Sequence, residues 1–201
     1  MRPSLQSRLV QAMADRCRRR ICAVLVACVS VAGWGQGGGG GNLAPADIEA
    51  AYLYNFGKYV RFPAGAAQDA QPFAICLLGD DGIGAPLDGL VANESVQGRT
   101  IVTRRLTSAA EAANCQIVYI GQSEAPRLAK SLSALESKPI LTVSSLPGFL
   151  EHGGMIQFLL QDKRVRFAVD LTSAERTHLE LSSELLKVAV HVDAKPALEA
   201  K

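Results

Sequence analysis

Histidine is scarce in this chain of 201 residues, which has only His152, His178 and His191. Each stands apart from acidic or cysteine partners at ligand spacing, so no metal motif can be read from the sequence, although a site assembled only in space stays open. The most apolar stretch, ICAVLVACVSVAG from Ile21 to Gly33, has 13 residues with Ser30 its one polar member, and is too short to span a bilayer comfortably. Of five cysteines, three (Cys17, Cys22, Cys28) fall near the N-terminus. The other two, Cys76 and Cys115, are too far apart for a C-x-x-C redox motif. No internal repeat is evident.

A basic field is also missing from most of the chain. Six of the 21 basic residues and one of the 19 acidic residues precede Gln36, so the remainder carries an excess of acid. That argues against nucleic acid as a partner. The N-terminal basic cluster (Arg16, Arg18, Arg19, Arg20) followed by the short apolar run has the form of a secretory signal peptide, with cleavage after Gly33 or Gly35. Met13 is an alternative start, since Met1 to Ala12 lengthens the basic region awkwardly. LVAC (Leu25 to Cys28) also fits the pattern preceding a lipidated cysteine, so a lipid anchor at Cys28 is a second reading of the same segment. In an oxidising compartment the even pair Cys76 and Cys115 suggests a disulfide. Its closed loop would be worth roughly 4 kcal/mol in chain-entropy terms. Two unpaired buried thiols are the alternative.

The expected organisation is a signal peptide over 1–35, a glycine-rich linker over 36–44, an α/β domain over 45–193 and a disordered tail over 194–201. Pro45 opens a helix with Ile48, Tyr52, Phe56 and Tyr59 on one face, ended by Pro63. FAICLLG (Phe73 to Gly79) is a buried strand, followed by a short helix over Ala85 to Val91 and a strand over Arg99 to Leu106. Ser108 with Glu111 forms a capping-box pattern. A strand over Gln116 to Gly121, a helix from Ser123 to about Leu135 and the strand PILTVSS come next. The fold class is therefore α/β: a single three-layer domain around a mostly parallel sheet. GGMIQFLLQDKRVRFAVDL (Gly153 to Leu171) breaks the pattern with an antiparallel hairpin. A two-residue turn at Asp162-Lys163 would pair Gln161 with Arg164, Leu160 with Val165, Phe158 with Phe167 and Ile156 with Val169. A final helix from Ser182 to about Val192 closes the domain.

Candidate chemistries fare poorly. LLGDDGIGAPLDG (Leu77 to Gly89) offers Gly82 and Gly84, but Leu87 stands where a dinucleotide-binding loop has its third glycine, and the next strand ends in Arg104-Arg105 rather than an acid. Asp80-Asp81 suggests a receiver domain, yet the third strand ends without a phosphate-accepting aspartate. Ser144 and Ser145 lack the glycine frame of a nucleophile elbow. Nothing points to an enzyme, a metal or a cofactor.

Two stretches resemble a known family. AAYLYNFGKYVRFP (Ala50 to Pro63) is similar to the opening helix of the YfiR family. GGMIQFLLQDKRVRFAVDL with LELSSELLKVA (Leu179 to Ala189) is similar to its C-terminal half, and order and spacing hold from about Ala46 to Val190. The resemblance implies a small periplasmic α/β protein that forms homodimers and restrains an inner-membrane diguanylate cyclase by binding its periplasmic region, lowering cyclic di-GMP and biofilm formation. It also implies a Cys76–Cys115 disulfide. A second, C-terminal cysteine pair found in some members is absent. Ala168, Val169 and Asp170 replace a common Glu-Ile-Asn, and His178 replaces a usual glycine. The partner surface expected from exposure is Asn55 and Lys58 on the first helix with Arg164 and Arg166 on the hairpin; a helix hydrogen bond for Asn55 and plain solvation for the arginines are the alternatives. A periplasmic small-ligand sensor or carrier without a cyclase partner is the rival reading, and a hydrolase with a scattered site is the third.

Overall fold

A computed structural model describes residues 43–63, 71–79 and 82–194. The expected signal peptide, nearly all of the linker and the tail beyond Ala194 lie outside them. Helix α1 (Pro45–Tyr59) leads into the short strand β1 (Val60–Arg61). There follow β2 (Phe73–Leu78), α2 (Gly84–Val91), β3 (Ser95–Val96) and β4 (Arg99–Leu106). A 3₁₀ turn (Ala109–Asn114), β5 (Ile117–Ile120) and a second 3₁₀ turn (Gln122–Arg127) lead to α3 (Leu128–Ser133). The chain closes with β6 (Leu141–Ser144), β7 (Ile156–Gln161), β8 (Arg164–Asp170), α4 (Leu171–Arg176), β9 (Glu180–Leu181), α5 (Ser183–Val188) and β10 (His191–Asp193).

Eight strands form one sheet in the order β10-β8-β7-β6-β5-β2-β4-β3. From β4 across to β7 all neighbours are parallel, while β8 is antiparallel to β7 and β3 to β4. Every residue of β2 is buried, as expected of a central parallel strand covered on both faces. One face packs Ile75, Leu77, Ile117, Tyr119 and Val143 against α1 and α2. The other packs Ala74, Cys76, Leu78, Val118 and Ile120 against α3 and its flanking turns. The expected three-layer α/β architecture is present.

Several elements differ from expectation for local reasons. The buried line of α1 runs through Ala50, Leu53, Phe56 and Gly57, while Tyr59 is 44% exposed. Small residues set that face, because at Gly57 a Cβ would already lie 3.2 Å from the Phe73 ring. The expected helix from Ser123 starts as a 3₁₀ turn because Pro126 lies in its first turns and cannot donate a backbone hydrogen bond. The last helix stops at Val188, and His191–Asp193 instead pairs with Ala168–Asp170 as an edge strand. β-branched Val190 and Val192 suit that extended edge better than a helix end.

The hairpin forms in the expected register, with Gln161↔Arg164, Leu160↔Val165, Phe158↔Phe167 and Ile156↔Val169. Asp162 (φ 49°) and Lys163 (φ 61°) are both left-handed, the requirement of a type I′ turn. The glycines before it have separate reasons. Gly153 has φ 91°, and a Cβ on Gly154 would lie 2.2 Å from the ring of the fully buried Phe149. Overpacking at such a contact costs about 1–3 kcal/mol. Gly154→Ala is therefore expected to lower the urea midpoint accordingly, and Phe149→Leu to restore part of the loss in the double variant.

Helix α4 ends in a Schellman motif: His178 N–H donates to Glu175 O at 2.9 Å and Leu179 N–H to Ala174 O at 3.1 Å. His178 occupies the left-handed position at φ 60°, where a side chain is strained. His178→Gly should raise stability by about 0.5–1 kcal/mol, read as a higher melting temperature.

Candidate functional site

Two segments far apart in the sequence meet over β8. Ser182 N–H donates to Tyr59 O at 2.9 Å, and β1 pairs with β9 through Val60↔Leu181 and Arg61↔Glu180. This clip fastens the end of α1 to the start of α5, where Ser182 Oγ accepts from Leu185 N–H. Between the helices runs a groove of about 330 Å³ lined by Tyr52, Asn55, Phe56, Tyr59, Phe167, Glu184, Leu185 and Val188. Its floor is ring-packed: Phe167 meets Tyr52 at 5.3 Å and Phe56 at 5.2 Å, both edge-on. The rim is apolar and open, with Tyr59 44% and Val188 60% exposed. Glu184, paired with Lys187 at 2.9 Å, supplies the polar border on one side.

The four expected surface residues do not form one surface. Asn55 lines the groove and donates to Ala51 O at 2.9 Å, one turn back in its own helix. Lys58 lies 3.8 Å over the Tyr54 ring, whose hydroxyl bonds to Glu94. Arg164 and Arg166 alternate with Val165 and Phe167, which pack toward α1, so the arginines occupy the opposite face of the sheet. Cys76 and Cys115 form a disulfide with Cα atoms 6.0 Å apart, buried in the second core away from the groove.

Several polar arrangements were not legible in the sequence. Tyr119 is 1% exposed, and its hydroxyl donates to Glu49 at 2.9 Å and lies 3.0 Å from Ser145 Oγ. The adjacent Ser144 donates to Ile120 O at 2.6 Å and accepts from Leu146 N–H, which is a structural task. Glu124, 1% exposed, accepts from Arg127 Nε at 2.7 Å and Nη2 at 2.6 Å, with Ser131 at 3.3 Å. The spacing Glu124, Arg127 was the available signal, an i,i+3 pair. A second cavity, of about 500 Å³, lies beside α4 and is lined by Asp170, Ser173, Arg176 and Asp193 among others. Among the described residues no cluster of three or more His, Cys, Asp or Glu could hold a metal ion, and no helix is long and apolar enough to cross a membrane.

The hydrogen bonds from Arg127 hold the Glu124 carboxyl below its ordinary value of 4.5, against the opposing effect of burial. A depressed folded-state value adds stability above the unfolded value, and that stability is lost as pH falls through the folded one. Glu124→Gln should therefore cost about 1–2 kcal/mol at pH 7. The difference from wild type should shrink below pH 4.5, as denaturation curves at several pH values would show.

A family model described as YfiR/HmsC-like matches residues 46–190. No curated protein matches the chain. Among solved structures, a conserved domain protein from Vibrio cholerae O1 biovar El Tor superposes with a TM-score of 0.51 at 12% identity, covering 75% of this chain and 61% of that one. An ABC domain in complex with L-Trp from Streptococcus pneumonia gives 0.51 at 12% identity, covering 74% and 60%. Both show a shared fold, and the chain spans only about three-fifths of each of those proteins.

Proposed function

The chain belongs to the YfiR/HmsC-like family over residues 46–190, and from that premise we propose that it is a periplasmic regulator that restrains an inner-membrane diguanylate cyclase by binding the cyclase's periplasmic region. It acts by contact and carries out no reaction. The observation that carries this reading is the groove between α1 and α5. All eight of its lining residues lie in the stretches AAYLYNFGKYVRFP, GGMIQFLLQDKRVRFAVDL and LELSSELLKVA that resemble the family. An aromatic floor with a polar border is the usual anatomy of a protein interface. Exposed Tyr59 and Val188 are apolar side chains that gain by burial against a partner.

Asn55 belongs to this surface as a polar group at the groove, and Lys58 flanks it from the Tyr54 side. A charge placed at Val188 would be trapped without a partner in the closed interface, at a cost of about 2 kcal/mol or more. Val188→Asp is thus expected to weaken capture of the cyclase from native membranes by roughly 30-fold, and to raise cellular cyclic di-GMP to the level expected of a strain lacking the gene. Because Val188 is exposed, the melting temperature should stay near that of wild type. Wild-type capture by a Val188→Asp, Tyr59→Ala variant would overturn the assignment of the groove.

The cavity beside α4 favours a second reading, a periplasmic small-ligand sensor. Arg176, held by Glu136 at 3.3 Å and Ser173 at 3.2 Å, lines it together with the carboxylates Glu151, Asp170 and Asp193, a mixed-charge wall that suits a zwitterion better than a simple anion. The ABC domain with the shared fold was solved with L-Trp bound. A melting temperature unmoved by a panel of amino acids and small carboxylates would count against it.

A further inference from the structure

The hairpin projects beyond both of its neighbours. β6 ends at Ser144, opposite Gln157, while β7 continues to Gln161. On the other side β10 begins at His191, opposite Ala168, while β8 begins at Arg164. Because Gln161 and Arg164 close a two-residue turn, the backbone groups of Gln161 and Leu159 point to β8 and those of Leu160 and Phe158 point outward. The ladder to β6 stops before the Phe158 carbonyl and before both backbone groups of Leu160. Among the described residues no hydrogen bond reaches these three groups. The Leu160 side chain beside them is 68% exposed, although Val165 across from it is buried.

Charge gathers at the same place. The side chains of Lys163, Arg164 and Arg166 have no ion-pair or hydrogen-bond partner among the described residues. Arg61, Arg105, Arg127, Arg176 and Lys187 all have one. Arg104, Lys130 and Lys138 also lack a partner, but they are scattered over different elements; the hairpin cations sit within four residues of one another, with Asp162 the one acid beside them.

We infer that the outer edge of β7 at Phe158–Gln161 is a docking rail for a short, extended, acidic segment of a partner protein, which adds a strand to the sheet. Open backbone groups supply the hydrogen bonds and Leu160 an apolar contact, as in other cases of strand addition. Strands lie about 4.8 Å apart, so an added strand lies about 10 Å from β8. Extended Arg164 and Arg166 side chains span much of that distance to meet its carboxylates. A second copy of this chain is the poorer occupant, because edge-to-edge pairing would bring two cationic ribbons together. The rail is separate from the groove between α1 and α5, and the regulatory reading above enters only in naming the cyclase as the source of the segment.

The test uses the mature full-length protein, isotope-labelled, with two blocked hexapeptides, one alternating valine with glutamate and one alternating valine with lysine. The Leu160 amide should exchange at least about threefold more slowly in the glutamate peptide at millimolar concentration, and be unaffected by the lysine peptide. Arg164→Glu with Arg166→Glu should reverse that preference. Leu160→Pro, which removes the outward N–H at a strand edge where proline is tolerated, should abolish shift changes along β7. No slowing with the glutamate peptide, or equal slowing with both, overturns the rail. Cyclase captured at full strength by Leu160→Pro also overturns it, while leaving the groove intact. Cyclase captured by neither wild type nor variants sinks the regulatory reading alone, and the peptide result then decides the edge by itself.

Discussion

The packing of one helix on one hairpin organises most of this molecule. Tyr52 and Phe56 of α1 meet Phe158 and Phe167 of the β7–β8 ribbon at ring separations of 5.2 to 5.9 Å. Such rings combine large buried area with preferred offset and edge-on geometry, so they fix direction as well as stability. α1 can lie close to the sheet because Ala50 and Gly57 leave room on its buried side. Its C-terminal end is held by a distant residue: Gln97 Nε2 donates to Val60 O at 3.1 Å and Gly57 O at 3.3 Å. The groove then follows, since α5 is clipped to the end of α1 and comes to rest over the same Phe167.

The sheet imposes a second requirement. A parallel core needs both faces covered, and the face away from α1 is closed with short elements rather than long helices. The disulfide, the buried Glu124 with its arginine, and the contact of Gly154 on Phe149 all serve that thinner layer. The two faces thus have different characters. One carries the aromatic packing and the open groove, and the other carries covalent and polar reinforcement.

Much of the fold was legible because the signals were local. The hairpin register could be read from alternation alone, since a slip by one residue would put Phe158 on the face opposite Phe167 and Val169. The parallel α/β class followed from strands and helices in turn. The candidate site was far less legible. Tyr59 fits a helical apolar period with Tyr52 and Phe56, and nothing in that period says that it ends up on a rim. Arg164 and Arg166 looked like companions of Asn55 and Lys58, yet a strand alternates its side chains and puts the arginines on the far side of the sheet. Val190 and Val192 looked like the last turn of a helix, and instead Val190 leads into an edge strand that holds Val192.

By itself the sequence determined the period of each element, the turn of the hairpin, the pair of cysteines available for a bridge and the family to which residues 46–190 belong. These depend on spacing within short windows, or on two long motifs kept in order. Only the tertiary structure decided which face of α1 is covered, that α1 and α5 enclose a groove, and that β7 outruns β6 and leaves Leu160 at an open edge. Exposure is a property of what packs against a residue. That depends on where remote segments end, and no local pattern records it.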